Sequence, residues 1–235
     1  MTYEEVMSEL ERMGSEQTKR TCISHGAMEP FFGVKIGDMK KLVKHVKKDQ
    51  ELALLLYDSG NSDAMYLAGL SVNPKLITKE QLQHWADRAY WYLLAESTVA
   101  GVAAESPYAR ELALAWMESP KEMVASCGWS TYANYVSVTQ DEKLDIEEIR
   151  GLLRRVEQTI HQEQNRVRYT MNSFVITVGV YVTELTEEAV AAAAQIGKVH
   201  VDVGNTACKV PLAANYIQKT VTMGKAGVKK KTCIC

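Results

Sequence analysis

The chain has 235 residues, of which 46% are hydrophobic and 24% charged, and its formal net charge is −2. This composition is ordinary for a soluble globular protein, and no apolar run approaches the roughly 20 residues needed to cross a bilayer. The N-terminus, MTYEEVMSELERMG, is acidic and amphipathic, unlike a signal or transit peptide. We therefore expect a cytoplasmic protein with no membrane partner.

The small net charge conceals two basic blocks. Residues 31–48 carry +5 and residues 205–235 carry +6, whereas residues 1–30 carry −3 and residues 49–204 carry −10. Local field, not net charge, attracts a polyanion. These two blocks are therefore the candidate contacts for a nucleic acid.

The predicted elements, in chain order, are nearly all helices. Thr78 followed by Gln81 predicts a capping box at one helix start. The β-branched run Val175–Val182 is flanked by helical patterns, so we interpret it as buried helix and not as a strand. Apolar periodicity and capping residues predict helices over 2–13, from Met39 onward, 50–58, 61–72, 78–88, 90–104, 107–117, 119–137, 145–162, 165–182, 186–195 and 213–224.

The helix in the first basic block is amphipathic. Asp38 is placed to cap a helix that starts at Met39, and an apolar stripe at i, i+3, i+4 and i+7 begins there. Lys40, Lys44 and Lys47 lie on another face. This pattern fits a phosphate-binding surface, and it fits an ordinary solvated helix face equally well.

About twelve helices joined by short breaks predict an all-α fold. The helix pairs recur at roughly 30–45 residues, which is close to HEAT-type spacing, but no sharp sequence repeat accompanies them. We expect a single domain over 1–235, built as an α-α superhelix of degenerate helix pairs. An irregular bundle is the alternative.

The pattern changes to alternation at residues 198–210. Val199, Val201 and Val203 alternate with polar residues, and Gly204-Asn205 then reverses the chain, which predicts one C-terminal β-hairpin. Such a ribbon fits a DNA groove if it projects, or it packs on the helices with its valines buried. The basic tail, about 225–235, is expected to be frayed.

Few residues suggest metal or covalent chemistry. The five histidines and five cysteines are scattered without metal-ligand spacing, so we expect no metal and no other cofactor. The run Tyr90-Trp91-Tyr92 fits core packing or stacking on bases. An internal basic cluster is diluted by acids, so ion pairs are at least as probable as phosphate contacts there: Arg150, Arg154, Arg155, Arg166 and Arg168.

Three segments carry a family resemblance. FFGVKIGDMKKLVK, MNSFVITVGVYV and IGKVHVDVGNTACKVPLAANYI resemble the DNA alkylation repair family, the AlkD-like HEAT-repeat proteins. The resemblance covers essentially the whole chain and implies a curved array that cradles duplex DNA. Active members remove N3- and N7-alkylated purines without a metal. The predicted hairpin resembles the AlkF-like branch, which lacks efficient glycosylase activity and is associated with branched DNA such as junctions.

The resemblance also implies where catalytic residues belong. In the active type a tryptophan and an aspartate one turn later contact the lesion's sugar. Aligning Trp91 with that tryptophan places Ala95 at the aspartate position, whereas a one-residue shift pairs Tyr92 with Glu96. The family's arginine falls near Ser126 or Cys127, and a second tryptophan falls near Ser173 or Phe174. The chain thus departs from the catalytic pattern at several positions.

We therefore predict a DNA-binding protein with a preference for branched DNA and no efficient glycosylase activity. If it is active, the candidates are Trp91, Tyr92 and Glu96. The alternatives are an alkylpurine DNA glycosylase and a HEAT-like scaffold for an unknown protein partner. The predicted DNA contacts are Lys35, Lys40, Lys41, Lys44, Lys47, Lys198, His200, Lys209, Lys219, Lys229, Lys230 and Lys231.

Overall fold

The computed structural model describes residues 1–234. All regular structure in that range is helical, and the predicted all-α class is confirmed. A π-helix, Leu94–Val99, runs directly into α7. The α-helices are α1 (Tyr3–Met13), α2 (Glu16–Ser24), α3 (Ile36–Val46), α4 (Gln50–Asp58), α5 (Ser62–Ser71), α6 (Lys79–Arg88), α7 (Ala100–Ala104), α8 (Ala109–Met117), α9 (Glu122–Val138), α10 (Ile146–Thr159), α11 (Asn165–Tyr181), α12 (Thr186–Ile196) and α13 (Ala213–Thr222).

Local capping chemistry explains most helix starts. The predicted capping box is present: the Thr78 side chain accepts from the Gln81 amide, and the Gln81 side chain accepts from the Thr78 amide. The start predicted for α3 is wrong, because this helix begins at Ile36 with Lys35 as its N-cap. Asp38 lies in the first turn, where the helix dipole favours a carboxylate, and accepts from Lys41 at 2.6 Å.

One helix, α2, was missed in the sequence. Its residues EQTKRTCIS show no apolar stripe, and the structure buries none of them. The helix starts because the Ser15 side chain accepts from the Thr18 amide. After it, the connector to α3 is held by buried Asp63 of α5, whose carboxylate accepts from the amides of residues 32, 33 and 34 at 2.6–3.2 Å.

The helices form two rows. Helices α3, α5, α7 with its π-helix, α9, α11 and α13 contact one another in succession, and we call this the inner row. The intervening helices α4, α6, α8, α10 and α12 pack outside it. The loop between α12 and α13 meets the end of α2, since a Cβ on Gly204 would lie 3.3 Å from the carbonyl oxygen of Ser24. The row is therefore curved.

Two apolar clusters form the core. One extends from Val6 to Cys127 and the other from Ala113 to Ile217. They interleave along α8 and α9, so the array is continuous at its centre. Within residues 1–234, none of the helices is long and apolar enough to cross a membrane.

The predicted β-hairpin is wrong. Residues 198–210 are extended, but no strand is formed there in the described chain. The backbone of Asp202 is satisfied by the Asn165 side chain on α11, with distances of 2.7 and 2.8 Å, instead of by a partner strand. Val199 is buried against the C-terminal cluster, and Val201 packs on it. The alternation thus reflects anchoring on helices, and we call residues 198–210 the C-terminal loop.

The C-terminal tail is also different from the expectation. The Gly227 amide donates to the Val180 carbonyl at 2.7 Å, and the Lys230 amide donates to the Ser137 carbonyl at 2.8 Å. The Glu105 carboxylate then accepts from the Thr232 hydroxyl and the Cys233 amide at 2.5 and 2.6 Å. Residues 227–234 therefore lie along the inner row, while Cys235 of the predicted tail lies outside the described residues.

Candidate functional site

The aromatic run begins the helical segment that contains the π-helix. Trp91 is buried, and its indole Nε1 donates to the His25 carbonyl at 2.8 Å. The Tyr92 hydroxyl lies 3.2 Å from His25 Nδ1. The two neighbouring rings therefore fasten the end of α2 to the inner row. Trp91 is therefore a core residue, whereas Tyr92 is half-buried and faces a cavity.

Glu96, the candidate carboxylate, forms a bidentate ion pair with Arg166 of α11. Arg166 Nε and Nη2 lie 2.8 and 2.5 Å from its two oxygens. The side chains of Arg166 and Glu96 are 12% and 9% exposed, so water screens the pair poorly. The guanidinium also contacts two rings, with its carbon 4.1 Å from the Tyr92 centroid and 4.4 Å from the Tyr169 centroid.

Burial and the charge of Arg166 shift the pKa of the Glu96 carboxyl in opposite directions. Burial raises the pKa of Glu96, and the hydrogen bonds and positive charge of Arg166 lower it, leaving it above its ordinary value. A carboxylate that already shares both oxygens with an arginine has little charge left for another cation. The π-helix that carries Glu96 is a rare conformation often found at functional sites.

The other positions of the catalytic pattern are filled by packing residues. Ala95 is fully buried, and the Ser126 hydroxyl donates to the Met123 carbonyl. Burial raises the pKa of the Cys127 thiol, so this thiol stays protonated. Phe174 packs edge-on against Trp129 with centroids 5.3 Å apart. These side chains offer no carboxylate or guanidinium in place of the missing ones.

A cavity of about 250 Å³ opens beside the ion pair, and we call it the aromatic cavity. It lies where the end of α2, the start of the π-helix segment, the start of α11 and the C-terminal loop meet. The residues that matter for its chemistry are His25, Tyr92, Arg166, Tyr169, Asp202 and Cys208.

The lysines of the first basic block are available to a ligand. All five predicted contacts in this block are exposed. Lys41 pairs with Asp38, a contact between exposed side chains that contributes little. The set is Lys35, Lys40, Lys41, Lys44 and Lys47.

The predicted C-terminal contacts divide into two groups. Lys198, His200, Lys209, Lys219 and Lys231 are exposed. Lys229 is different: its Nζ lies 2.7 Å from Asp141 and donates to the Val136 carbonyl at 2.9 Å, with the side chain only 8% exposed. Lys230 Nζ lies 5.5 Å from the Tyr181 ring centroid. Because its ammonium is already engaged within the fold, Lys229 is not among the residues that we propose contact DNA.

Three of the five internal arginines pair with acids, whereas Arg168 bonds to the Asn165 side chain and Arg154 is exposed. Arg150 binds Glu188, and Arg155 pairs with Glu118. Arg166 belongs to the same cluster, but its connection to Glu96 was missed because the two residues are 70 positions apart. His25, Asn165 and Tyr169 were also missed, and no local motif singles them out. Among residues 1–234, no group of three or more acidic, histidine or cysteine side chains is arranged to hold a metal ion.

The fold and this site define a helical-repeat protein with basic surfaces at both ends of its curved inner row. Residues 6–217 match the sequence profile of the DNA alkylation repair enzyme family, and the chain belongs to that family. A solved structure superposes with a TM-score of 0.92 at 39% identity, covering 100% of both chains. That protein is described as one of a new family of proteins related to the HEAT-like repeat DNA glycosylases with affinity for branched DNA structures.

Two bacterial relatives are similar over almost their whole length. Uncharacterized protein Lmo0209 of Listeria monocytogenes is 38% identical over 225 residues, covering 93% of this chain and 97% of the relative. Uncharacterized protein Lin0241 of Listeria innocua is 37% identical with the same coverage. The predicted family and the HEAT-like repeat architecture are thereby confirmed.

Proposed function

We propose that this protein is a cytoplasmic, single-domain DNA-binding protein that prefers branched DNA and does not excise alkylated purines efficiently. The observation that carries the proposal is the largely buried ion pair with Arg166 that engages Glu96, the carboxylate next to the position where the family resemblance implies a free aspartate. The preference for branched DNA is supported by the similar protein with that affinity. The proposal assigns the chain to the AlkF-like branch, although the C-terminal loop is not a β-hairpin.

The chemistry of excision explains why the ion pair matters. Departure of a cationic base leaves an oxocarbenium-like sugar, which a nearby carboxylate stabilises. Both Glu96 oxygens accept from Arg166, and Ala95 has no charge to offer. Loss of one such electrostatic group costs about 10²–10³ in rate. A site that lacks the aspartate, and in which Arg166 neutralises Glu96, should have almost no glycosylase activity.

The proposed DNA contacts are exposed, and all but one of them are lysines. They comprise the α3 lysines, Lys198, His200 and Lys209 of the C-terminal loop, and Lys219, Lys230 and Lys231 near the end of the chain. Neutralised phosphates release counterions, so affinity should fall steeply with salt. The C-terminal loop carries three of these side chains and reaches the end of α2 at Ser24, and a branch point is the DNA feature that we expect it to contact.

Binding to a four-way junction and to matched linear duplex, each across a salt series, tests the binding proposal. We expect tighter junction binding and a steep salt dependence. Equal affinities would reject the branched-DNA preference. Absence of binding at low salt would reject DNA binding and favour the alternative of a scaffold for a protein partner.

Release of 7-methylguanine and 3-methyladenine from alkylated DNA tests the catalytic part. We expect no release above the spontaneous rate. Efficient release that is lost in Glu96→Gln, with helix content unchanged, would overturn the proposal and establish the glycosylase alternative. The observation that favours the glycosylase alternative is that the chain belongs to a family of DNA alkylation repair enzymes.

A further inference from the structure

The aromatic cavity has a chemistry different from that of the basic surfaces around it. Two half-buried tyrosines, Tyr92 and Tyr169, line it, and Arg166 contacts both of their rings. The guanidinium covers one face of each ring, which leaves the opposite face to a flat ligand. Tyr92 is fixed through its hydroxyl by His25, and Arg166 is fixed by Glu96.

The charge of the lining does not suit a phosphate. Among the described lining residues, Arg166 and Asp202 carry formal charges. The positive charge of Arg166 is already matched by Glu96. Asp202 is exposed and uses one carboxylate oxygen to accept from the Gly204 amide at 2.8 Å. The lining is therefore neutral to slightly negative and favours a neutral ligand.

The size of the cavity restricts the ligand further. Its volume of about 250 Å³ is below the roughly 300–1,000 Å³ of pockets for drug-sized molecules. A single planar ring system fits, and a nucleotide with its sugar and phosphate fits only if those parts stay outside. The exposed side chains of Lys198 and Lys209 on the C-terminal loop are available for those outer parts.

The rim of the cavity is held in place by specific hydrogen bonds and by a close backbone approach. The Asn165 amide holds the C-terminal loop through two hydrogen bonds to the backbone of Asp202. Gly204, with φ of +68°, lets the loop approach Ser24 on the far side. The end of α2 and the C-terminal loop, which are far apart in sequence, thus contribute to one cavity.

We propose that the aromatic cavity binds one unpaired nucleobase at the branch point of a DNA junction, stacked on Tyr169. The inference rests on the proposed function, because it assigns the part of branched DNA that the protein reads. Base pairs in a continuous duplex are inaccessible to such a cavity, whereas a branch point offers bases that have lost a stacking neighbour. Aromatic stacking of this kind contributes about 1–3 kcal/mol per base, or roughly 5- to 150-fold in affinity.

The inference is tested by removing the unpaired base from the DNA and the aromatic ring from the protein, first separately and then together. The two ligands are a three-way junction with one unpaired adenosine at the branch point and the same junction with an abasic residue there. We expect the protein to bind the adenosine junction about tenfold more tightly than the abasic one. In Tyr169→Leu the two affinities should become equal, and Tyr169→Phe, which keeps the ring, should retain the preference.

Tyr216→Leu is the matched control, because Tyr216 is exposed on α13 and lines a different groove. It should retain the preference for the adenosine junction. Equal binding of the two junctions by the unaltered protein would overturn the inference while leaving the proposed function intact. Failure to bind either junction would reject the proposed function itself and the inference with it.

Discussion

At the residue scale, the buried pair between Glu96 and Arg166 determines the character of the site. It joins the π-helix of the central repeats to the start of α11, across 70 residues of sequence. An ion pair buried to this degree contributes modest net stability, but its disruption leaves one charge without a partner. The same contact therefore occupies the candidate catalytic carboxylate and supports the aromatic cavity.

Arg166→Met should destabilise the fold strongly. The change leaves Glu96 buried without its partner, and the free energy of unfolding should fall by about 3–5 kcal/mol at neutral pH. Urea unfolding measures this. Arg154→Met on the exposed surface of α10 is the control and should change the free energy by less than about 0.5 kcal/mol. Equal effects of the two variants would contradict the assigned role.

The loss in Arg166→Met should depend on pH. Without the arginine, burial raises the pKa of Glu96 in the folded state further above its unfolded value of about 4.3. The folded state then binds more protons than the unfolded state between those two pKa values, so the variant regains stability as the pH falls through that interval. Unfolding at pH 7 and pH 5 should show a smaller deficit at pH 5. A deficit that grows toward acid would contradict this.

At the element scale, α3 has a clear division of faces. Met39, Leu42 and Val46 are buried in the N-terminal cluster, and Lys40, Lys44 and Lys47 are exposed. Such a helix tolerates surface substitution because its stability comes from the buried stripe. Its lysines are therefore suited to a test of DNA contact that leaves the fold intact.

The variant Lys40→Ala, Lys44→Ala, Lys47→Ala should weaken binding to all DNA forms alike. If all three contact phosphates, the slope of log affinity against log salt should decrease by about 2.7. Titrations at several salt concentrations measure this. Alanine at Lys75, Lys79 and Lys143, which we place outside the interface, removes the same charge and is the control. Matching slopes for the two triple variants would show that α3 is not a specific contact.

The C-terminal loop is the second element with a separable role. Val199 anchors it in the core, so a useful variant keeps that residue and replaces residues 200–208 with a Gly-Ser linker of the same length. We expect the preference for junction over duplex to decrease, because the linker lacks the side chains of the loop at the cavity rim, although its backbone can still bond to Asn165. Competition between the two DNA forms measures it. An unchanged preference for junction over duplex would show that the C-terminal loop has only a structural role.

At the scale of the whole molecule, the described part of the tail, residues 227–234, connects successive helices of the inner row. It contacts the C-terminal ends of α11, α9 and α7 in turn, and ends against Glu105. Gly101 of α7 allows this path, because a Cβ there would lie 3.0 Å from the Cys233 carbonyl oxygen. A curved array held at successive helices should bend less than one whose helices are joined only by neighbouring repeats.

Glu105→Ala should release the end of the tail. The carboxylate accepts from the Thr232 hydroxyl and from the amides of Cys233 and Ile234, so its removal should lower the free energy of unfolding by about 1–3 kcal/mol. Hydrogen exchange at those two amides should accelerate. Glu142→Ala, at an exposed position in a nearby turn, is the control. Unchanged exchange in Glu105→Ala would contradict the docked arrangement.

Much of the helical organisation was predictable because its signals are local. The Thr78 capping box and the apolar stripe of α3 depend on residues within a few positions of each other. The strand-like Val175–Val182 was rightly interpreted as helix, apart from its last residue, from its flanks. Helix α2 was missed because it buries no residue and has no periodicity to detect.

The site was only partly predictable. Tyr92 and Glu96 were identified through the family resemblance, and the exposed lysines through their charge pattern. Arg166 and His25 were not connected to them, because contacts between distant repeats leave no periodic trace in the sequence. The alternation of Val199 and Val201 indicated a hairpin, but the same pattern results when a loop packs alternate residues on a helix.

The sequence by itself determined the helical repeats and the two basic blocks, and the family resemblance named Ala95 or Glu96 as the residue at the aspartate position. Each of these depends on composition or on spacing within one turn or one motif. Only the tertiary structure decided that Glu96 is neutralised by Arg166, that Lys229 pairs with Asp141, and that the tail lies along the inner row. Those outcomes depend on the curvature of the array, which brings together residues that no local interaction relates.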